Sequence, residues 1–207
     1  MAKTSSQKSD FNERRVGLYG GTFDPIHNAH LIVAEFIREE WHLDKVIFIP
    51  AGIPPHKQVY SPKELRLQMV QVSIDDNPHF ECSDIEVTNP AISYSVDTIA
   101  AMKERLGLSP DALFWILGSD NFVSFHKWKA PERILELCQV VVFPRHYEDF
   151  ERAPEEFKAH PRVHLMDAPV LEIASTQIRS FVKQNRSIRY LVPREVEGII
   201  REHKLYA

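Results

Sequence analysis

Short apolar runs alternate with amphipathic stretches along most of this chain, and that alternation constrains its fold more than any other feature. The apolar runs have the length of buried strands, and the stretches between them carry apolar residues at helical spacing. Strands that alternate with helices form a mostly parallel sheet with helices on both faces and right-handed crossovers. The sequence therefore predicts an α/β protein. The expected strands are 16–19, 45–52, 80–87 (one or two short strands near an edge), 111–118, 138–144 and 162–168, and the expected helices are 29–41, 62–74, 95–105, 132–137, 175–184 and 194–203. Ser61 is the expected N-cap of the second helix, with Pro62 at its first position.

Length and composition limit the domain organisation and the partners. The chain has 207 residues, 43% of them hydrophobic, and shows neither a repeat nor a linker, so we expect one domain over 15–207 behind a loose tail at 1–14. A formal net charge of -4 argues against nucleic acid or an anionic membrane as a partner. Two distant cysteines and the lack of a signal peptide or membrane-spanning run favour the cytoplasm. The sequence is compatible with a homo-oligomer.

The segment GGTFDPIHNAH, residues 20–30, follows the first expected strand and predicts a phosphate site. In a parallel sheet, ligands bind beyond the carboxyl ends of the strands. Two glycines allow a ligand to approach the backbone, and the start of the next helix offers unpaired N–H groups to an anion. With Asn28 as the expected N-cap, His27 and His30 are three residues apart and can point at one anion. Histidine donates hydrogen bonds in either protonation state and can become cationic near neutral pH beside a polyphosphate.

The same segment allows other interpretations. The histidines can be ordinary helix-start residues and the glycines a simple turn. A zinc site would need a third ligand, and the HxxH spacing is not the i, i+4 spacing of a zinc-binding helix. The dinucleotide-binding fingerprint GxGxxG is missing, because Gly20 and Gly21 are followed only by the distant Gly52.

A second candidate anion site lies near the other end of the chain, in EIASTQIRS at 172–180. Ser175 is the expected N-cap of a helix, Thr176 follows it, and Arg179 lies one turn later. Hydroxyl, guanidinium and backbone N–H donors at one helix start can hold phosphate groups. Plain helix capping is the alternative.

Both segments resemble motifs of one family. GGTFDPIHNAH resembles the GxFDPxHxGH signature of the adenylyltransferases in the nucleotidyltransferase superfamily, and EIASTQIRS is similar to their (I)SSTxIR motif. Ala29 stands where the family usually has glycine, and Ala174 replaces the first serine. Further stretches are similar to the bacterial nicotinate mononucleotide adenylyltransferase branch, so that the resemblance covers 16–206: IPPHK at 53–57, SYSVDTI at 93–99, GSDNFVSFHKW at 118–128 and SIRYLVP at 187–193.

The resemblance implies a Rossmann-like nucleotidyltransferase fold and the transfer of an adenylyl group from ATP to nicotinate mononucleotide, with deamido-NAD and pyrophosphate as products. It implies that Mg²⁺ binds mainly through the ATP phosphates, with no metal-ligating residue assigned in the protein. The implied catalytic residues are His27, His30 and Arg179. The implied ATP-binding residues are Gly20, Gly21, Thr22, Phe23, His27, His30, Gly118, Asp120, Ser175, Thr176 and Arg179, and the implied acceptor-binding residues are His56, Lys57, Tyr94, Thr98 and Trp128.

Several of these residues also have a physical rationale and an alternative. Lys57 follows two prolines that stiffen its loop and can meet a phosphate, or it is a solvated surface lysine. Asp120 can accept both hydroxyls of a ribose, or it caps a helix. Trp128 lies in a polar stretch and can stack on a flat heterocycle, or it packs in the core. Asp24 is expected to form a turn rather than to bind a metal.

Other functions remain open at this stage. The acceptor can be another phosphate compound, such as nicotinamide mononucleotide or phosphopantetheine, because those enzymes share the first motif. The chain can also be a catalytically inactive nucleotide sensor in which Ala29 or the altered serine spoils alignment. A tRNA synthetase fragment is disfavoured, because the chain leaves no room for an anticodon-binding domain and lacks a basic patch.

Overall fold

The computed structural model describes residues 13–55, 57–145 and 149–207. Its strands are β1 (Val16–Gly21), β2 (Lys45–Pro50), β3 (Phe80–Cys82), β4 (Leu113–Gly118), β5 (Gln139–Phe143) and β6 (Val163–Leu165). Its α-helices are α1 (Asn28–Glu40), α2 (Lys63–Ile74), α3 (Ser95–Leu106), α4 (Ser119–Phe122), α5 (Pro131–Leu137), α6 (Glu155–Lys158), α7 (Ser175–Lys183) and α8 (Arg194–Glu202). Two short 3-10 helices cover Phe125–Lys127 and Phe150–Arg152.

The described strands form one sheet in the order β3-β2-β1-β4-β5-β6, and every neighbouring pair is parallel. The chain builds outward from β1 to β3 on one side and then returns to pair β4 with the other side of β1. This strand order reverses between β1 and β4, which is the point where a doubly wound sheet opens a crevice for ligands. The prediction of an α/β fold with a parallel sheet is confirmed.

Alternate residues along each strand enter two different cores, one on each face of the sheet. On β4, Phe114 and Ile116 join the core that receives α1, α2, α7 and α8. Leu113, Trp115 and Leu117 join the opposite core, with residues from α3, α5 and α6. Side chains of a strand alternate between faces, so a strand apolar at every position requires helices on both sides. The sheet is covered on both faces, as predicted.

The ends of several elements differ from their expected positions. Both Gly20 and Gly21 belong to β1, paired with Ile49 and Pro50 of β2, rather than to a turn after it. The expected strand 80–87 contains only β3, which lies at one edge of the sheet. The short helices α4 and α6 were not predicted, because one turn of helix is too short to show an apolar period.

Three expected helix caps are wrong, for one physical reason. The N-cap residues are His27 for α1, Pro62 for α2 and Ala174 for α7. The polar side chains expected to cap these helices bond distant segments instead. Asn28 Nδ2 donates to Tyr190 O at 2.7 Å, Ser61 Oγ to Asp24 Oδ1 at 2.5 Å, and Ser175 Oγ to Pro25 O at 2.9 Å.

The predicted loose tail, 1–14, lies outside the described residues except for its last two positions. One of these, Glu13, accepts hydrogen bonds from the backbone N–H and the hydroxyl of Ser109, both at 2.6 Å. Within the described part of the chain, no helix combines the length and the apolarity needed to cross a membrane.

Candidate active site

A cleft of about 420 Å³ opens at the carboxyl ends of β1 and β4, where the strand order reverses. Every residue that the resemblance assigned to ATP lines this cleft. Those residues come from β1, the loop after it, the start of α1, the β4–α4 junction and the start of α7. Two motifs about 150 positions apart in the sequence, with Pro25 and Ser175 in direct contact, therefore form one site.

Hydrogen bonds join the two motifs directly. Arg179 Nη1 donates to the carbonyl oxygen of Asp24 at 2.7 Å, and Arg179 Nη2 donates to Thr176 Oγ1 at 3.3 Å. The Ser175 hydroxyl donates to Pro25 O in the same loop. Charge-assisted and hydroxyl bonds to backbone carbonyls hold the start of α7 in register with the loop that leads into α1. The guanidinium and hydroxyl groups expected to hold phosphates are thus already in place before a ligand binds.

The imidazoles of His27 and His30 stack on each other, with ring centroids 3.6 Å apart and an interplanar angle of 21°. The backbone N–H of His27 donates to His30 Nδ1 at 3.2 Å. Because His30 Nδ1 accepts a hydrogen bond, its proton resides on Nε2, and that atom is the available donor. Both ring nitrogens of His27 are buried and have no hydrogen-bond partner among the described residues.

Burial keeps both imidazoles neutral in the free protein. It lowers the pKa of His27 to about 3, with repulsion from Arg145 as a smaller cause. It also lowers the pKa of His30 well below 6.5, helped by repulsion from His27, Arg145 and Lys57. Burial penalises the charged form of an imidazole. In the free protein at neutral pH both imidazoles are therefore neutral hydrogen-bond donors, and the expectation that they become cationic beside a polyphosphate stays a prediction.

The positive charge of the cleft comes from Lys57, Arg145 and Arg179, which all line it. Sequence reasoning missed Arg145. This residue follows directly after the apolar run that forms β5, and its backbone N–H donates to Ser119 Oγ at 2.8 Å. The rule that placed residues 20–30 at the ligand edge, their position just beyond a buried strand, applies equally to Arg145 and could have found it.

The glycines of the site are required by packing within the protein. A Cβ on Gly20 would lie 2.4 Å from the Trp115 ring, and one on Gly21 would lie 2.9 Å from the Phe23 ring. At Gly118, a Cβ would lie 2.5 Å from Asp120 Oδ1. The expectation that paired glycines make room for a ligand is therefore incomplete, because aromatic rings of this chain fill the space beside Gly20 and Gly21.

Asp24 lines the cleft, and both oxygens of its carboxylate accept hydrogen bonds. It accepts hydrogen bonds from the backbone N–H of Tyr60 at 2.6 Å, from Ser61 Oγ, and from the Tyr206 hydroxyl at 2.6 Å. The residue is 2% exposed. Among the described residues, no group of three or more histidine, cysteine or acidic side chains is arranged to hold a metal ion. Asp24 joins the β1–α1 loop to the β2–α2 loop and to the last turn of the chain.

The residues predicted to bind the acceptor are not all in this cleft. Lys57 lines it, and its ammonium group donates to Asn121 Oδ1 at 3.0 Å. Tyr94, Thr98 and Trp128 do not line it. His56 lies outside the described residues.

Each of those three residues has a defined place near α3. Thr98 is 6% exposed, and its hydroxyl donates to Glu86 Oε1 at 2.6 Å. The ammonium of Lys129 lies 4.5 Å from the centroid of the Tyr94 ring. Trp128 packs on Phe125 with ring centroids 5.5 Å apart. Tyr94 and Trp128 are both partly exposed and pack on the same core.

The cleft also contains polar residues that the sequence patterns did not single out. Gln58, Tyr60 and Asn121 line it. The Tyr60 ring is 54% exposed and lies under the Arg179 guanidinium, 4.2 Å from its central carbon. An aromatic face holds a guanidinium through cation–π attraction. Neither Tyr60 nor Gln58 lies in a motif or beyond a strand, so no local signal marked them.

Comparison with known proteins places the chain in a family. Residues 18–181 match the sequence profile of the cytidylyltransferase-like family. A protein of Caldicellulosiruptor saccharolyticus named "Probable nicotinate-nucleotide adenylyltransferase" is 39% identical over 199 residues, covering 93% of this chain and 98% of that protein. A relative with the same name from Desulfitobacterium hafniense is 42% identical over 202 residues, covering 93% and 96%.

Solved structures share the fold at lower identity. The nicotinic acid mononucleotide adenylyltransferase of Plasmodium falciparum complexed with NaAD superimposes with a TM-score of 0.76 at 18% identity, covering 93% of this chain and 97% of that one. The same enzyme complexed with APC gives a TM-score of 0.72. The resemblance to the nucleotidyltransferase fold is thus confirmed. With its cleft, its sheet order and relatives of about 40% identity over nearly the whole chain, this protein belongs to the nicotinate-nucleotide adenylyltransferase family, within the cytidylyltransferase-like proteins.

Proposed function

We propose that this protein transfers the adenylyl group of ATP to nicotinate mononucleotide, giving deamido-NAD and pyrophosphate for NAD biosynthesis. The observation that carries the proposal is the convergence of the imidazole pair and the Ser175–Arg179 cluster on one cleft, in a chain whose relatives bear the name of this activity. Donors from both motifs reach a space large enough for a nucleotide. A triphosphate chain is the ligand that uses all of them.

The proposed reaction needs no nucleophile from the protein. A phosphate oxygen of the acceptor attacks the α-phosphorus of ATP in line, and the bond from that phosphorus to the bridging oxygen of the pyrophosphate breaks. The protein aligns the two substrates and stabilises the charge that builds on the transferred group. His30 Nε2 and one ring nitrogen of His27 are the donors at the start of α1, and Arg179, the Thr176 hydroxyl and the backbone N–H of Ser175 hold the leaving pyrophosphate.

Magnesium is proposed to enter with ATP. The cleft is lined by imidazole, guanidinium, ammonium and hydroxyl groups and by the carboxylates of Asp24, which is buried and accepts from three donors, and Asp120, which is exposed. This donor set fits a hard cation held by phosphate oxygens and water rather than by side chains. When bound, the cation neutralises charge on the phosphates.

The acceptor is proposed to extend from the cleft towards α3. Lys57 meets its phosphate, and Tyr94 and Trp128 offer partly exposed rings for the pyridine. Thr98 is buried against Glu86, so we assign it an indirect role in shaping this wall. Asp120, which follows Gly118 at the end of β4, is exposed and remains our candidate for the ribose of ATP.

The test is a panel of phosphate acceptors, each supplied with ATP and Mg²⁺, with pyrophosphate release as the readout. We expect release with nicotinate mononucleotide and a slower reaction with nicotinamide mononucleotide. Preference for phosphopantetheine would reassign the acceptor. Binding of ATP by calorimetry without release for any acceptor would identify a nucleotide sensor instead.

A cytoplasmic location is also a proposal, supported by the cysteines. Cys82 and Cys138 are both unpaired in the structure. Burial raises the pKa of both thiols to about 12, so neither is a reactive thiolate at neutral pH. Unpaired, unreactive thiols suit a reducing compartment.

A further inference from the structure

Arg66 of α2 is a buried arginine that no motif singled out, and it does not line the cleft. Its side chain is 0% exposed. Burying a guanidinium is costly unless its donors are satisfied, so such a residue has a specific set of partners. Here the hydrogen-bond partners are backbone carbonyl oxygens, and nearby carboxylates, Asp24 foremost, stabilise the charge without an ion pair to Arg66 among the described residues.

Each of those carbonyls belongs to a segment that borders the cleft. Arg66 Nη1 donates to Thr22 O at 2.8 Å, in the loop between β1 and α1 that lines the ATP site. Nη2 donates to Gly52 O at 3.1 Å, and Nε to Ser61 O at 3.4 Å. Gly52 and Ser61 are the two ends of the loop that carries Lys57. The Arg66 side chain therefore binds both ends of the loop 52–61, which carries Lys57, and also binds the loop 22–27 between β1 and α1.

The Gly52 peptide is confined on its other side as well. A Cβ on Gly52 would lie 2.1 Å from the carbonyl oxygen of Glu86, so the two backbones are in close contact. The side chain of Glu86 in turn accepts the Thr98 hydroxyl at 2.6 Å, which holds the segment containing Glu86 against α3. Gly52 is therefore held from two sides, by the Arg66 guanidinium at its carbonyl and by the Glu86 backbone, where the loop carrying Lys57 begins.

We propose that Arg66 is a positioning residue that holds the loop carrying Lys57 at a set distance from the loop that binds ATP. This inference rests on the proposed function, because it assigns the two loops to the two substrates. In-line transfer requires the acceptor phosphate and the α-phosphorus to meet in one geometry, and small displacements of either are costly. The rigid fork of arginine presents donors in separate directions to carbonyls of three segments, an arrangement that the compact ammonium of lysine does not reproduce.

The test is a double-mutant cycle between Arg66 and Lys57, measured as kcat/KM for nicotinate mononucleotide. Lys57→Ala alone is expected to lower kcat/KM about 10- to 100-fold, the scale of one hydrogen bond to a charged group. In the Arg66→Met background the loop is no longer held by the guanidinium. There the factor by which Lys57→Ala lowers kcat/KM is expected to be at least about fivefold smaller. Equal costs in both backgrounds would overturn the proposal.

A destabilisation control separates positioning from simple loss of fold. Met69→Ala removes a 0% exposed side chain from the same helix, and this thioether forms none of the hydrogen bonds that Arg66 makes to the two loops. Met69→Ala is expected to lower the melting temperature, while Lys57→Ala still lowers kcat/KM by the same factor in this background. Should Arg66→Met not fold, Arg66→Lys replaces it, since lysine keeps the charge and can satisfy part of the carbonyl set.

Hydrogen exchange tests the same proposal without using activity. In Arg66→Lys, amides in 57–60 and in 22–24 are expected to exchange faster than in the wild-type protein, while those of β4 and β5 are unchanged. Unchanged exchange in both loops would contradict the proposal. If the wild-type chain transfers no adenylyl group to nicotinate mononucleotide, the proposed function fails, and the exchange experiment still decides the role of Arg66.

Discussion

At the residue scale, the two histidines of the cleft have different surroundings and therefore different capacities. His30 accepts a bond from the His27 backbone at Nδ1, which leaves Nε2–H as its donor. His27 has both ring nitrogens buried without a partner among the described residues. A buried, unpaired polar atom is costly, and it is tolerated where a ligand completes it. We therefore expect the bound phosphate to satisfy His27 as well as His30.

Replacing His30 by alanine tests its role in the reaction. His30→Ala is expected to lower turnover at least about 100-fold, the scale of one lost donor to a developing charge, while the fold remains intact. Steady-state kinetics with circular dichroism on the same samples measure both effects. His203→Ala is the matched control, because His203 is exposed and lies at the end of α8 outside the cleft. Near-normal turnover in a folded His30→Ala protein would remove this histidine from the mechanism.

At the element scale, the site depends on the close packing of β1 against β4. Gly20 is paired within the sheet, and the ring of Trp115 on the neighbouring strand occupies the space where a side chain would be. At Gly20, β1 therefore offers only backbone atoms to the cleft, and the Trp115 ring occupies the place of a side chain. The pair of glycines is a property of the β1–β4 contact as much as of the ligand site.

A single methyl group tests this packing. Gly20→Ala is expected to destabilise the protein by about 1–3 kcal/mol, because its Cβ would overlap the Trp115 ring and a packed core yields only with strain. Gly198→Ala is the control: a Cβ there meets nothing within 4 Å, and alanine favours the helix by about 1 kcal/mol. Chemical denaturation measures the free energy of unfolding of both variants. Equal stability of the two would show that β4 moves aside without cost.

The elements also show where local patterns mislead. Ser175 and Asn28 have the chemistry of N-caps, and each lies one residue inside its helix. Their side chains bond Pro25 and Tyr190, residues far away in sequence. A capping preference describes a helix start exposed to water. At a site where loops meet, the same side chain gains a partner that the local sequence does not contain.

At the scale of the whole molecule, burial of the imidazole pair links the site to the pH dependence of stability. In the unfolded chain a histidine binds a proton near pH 6.5, whereas in the folded protein His27 does so only near pH 3. Between these values the unfolded state holds more protons, so stability falls as the pH is lowered through this window. One such group contributes a slope of up to about 1.4 kcal/mol per pH unit.

Removal of the His27 imidazole is therefore expected to make the free energy of unfolding less dependent on pH in the acidic range. His27→Asn is expected to lose less stability than the wild type between pH 6.5 and about 3, even if it is less stable at pH 7. Thermal or denaturant unfolding at a series of pH values measures the difference. The exposed His203→Ala variant should run parallel to the wild type. A His27→Asn curve parallel to the wild type would show that His27 is not held neutral by the fold.

The sequence by itself determined the class of fold and the location of the site. Apolar periodicity reports which faces are buried, and burial decides whether a segment becomes a strand between helices or an exposed loop. The position of a motif just beyond a strand then places it at the ligand edge of a parallel sheet. Those rules placed Gly20–His30 at the ligand edge, and the resemblance to one family then assigned it and Ser175–Arg179 to one function. Residues of both segments do line one cleft.

Only the tertiary structure decided which side chains complete that cleft and in what state they are. Arg145 and Tyr60 line it, Tyr206 binds Asp24 from the last turn of the chain, and Arg66 joins three segments through their carbonyls. The neutrality of the imidazoles likewise depends on what surrounds them rather than on their neighbours in sequence. Contacts and desolvation are properties of residues brought together from distant positions, so a local pattern carries no record of them.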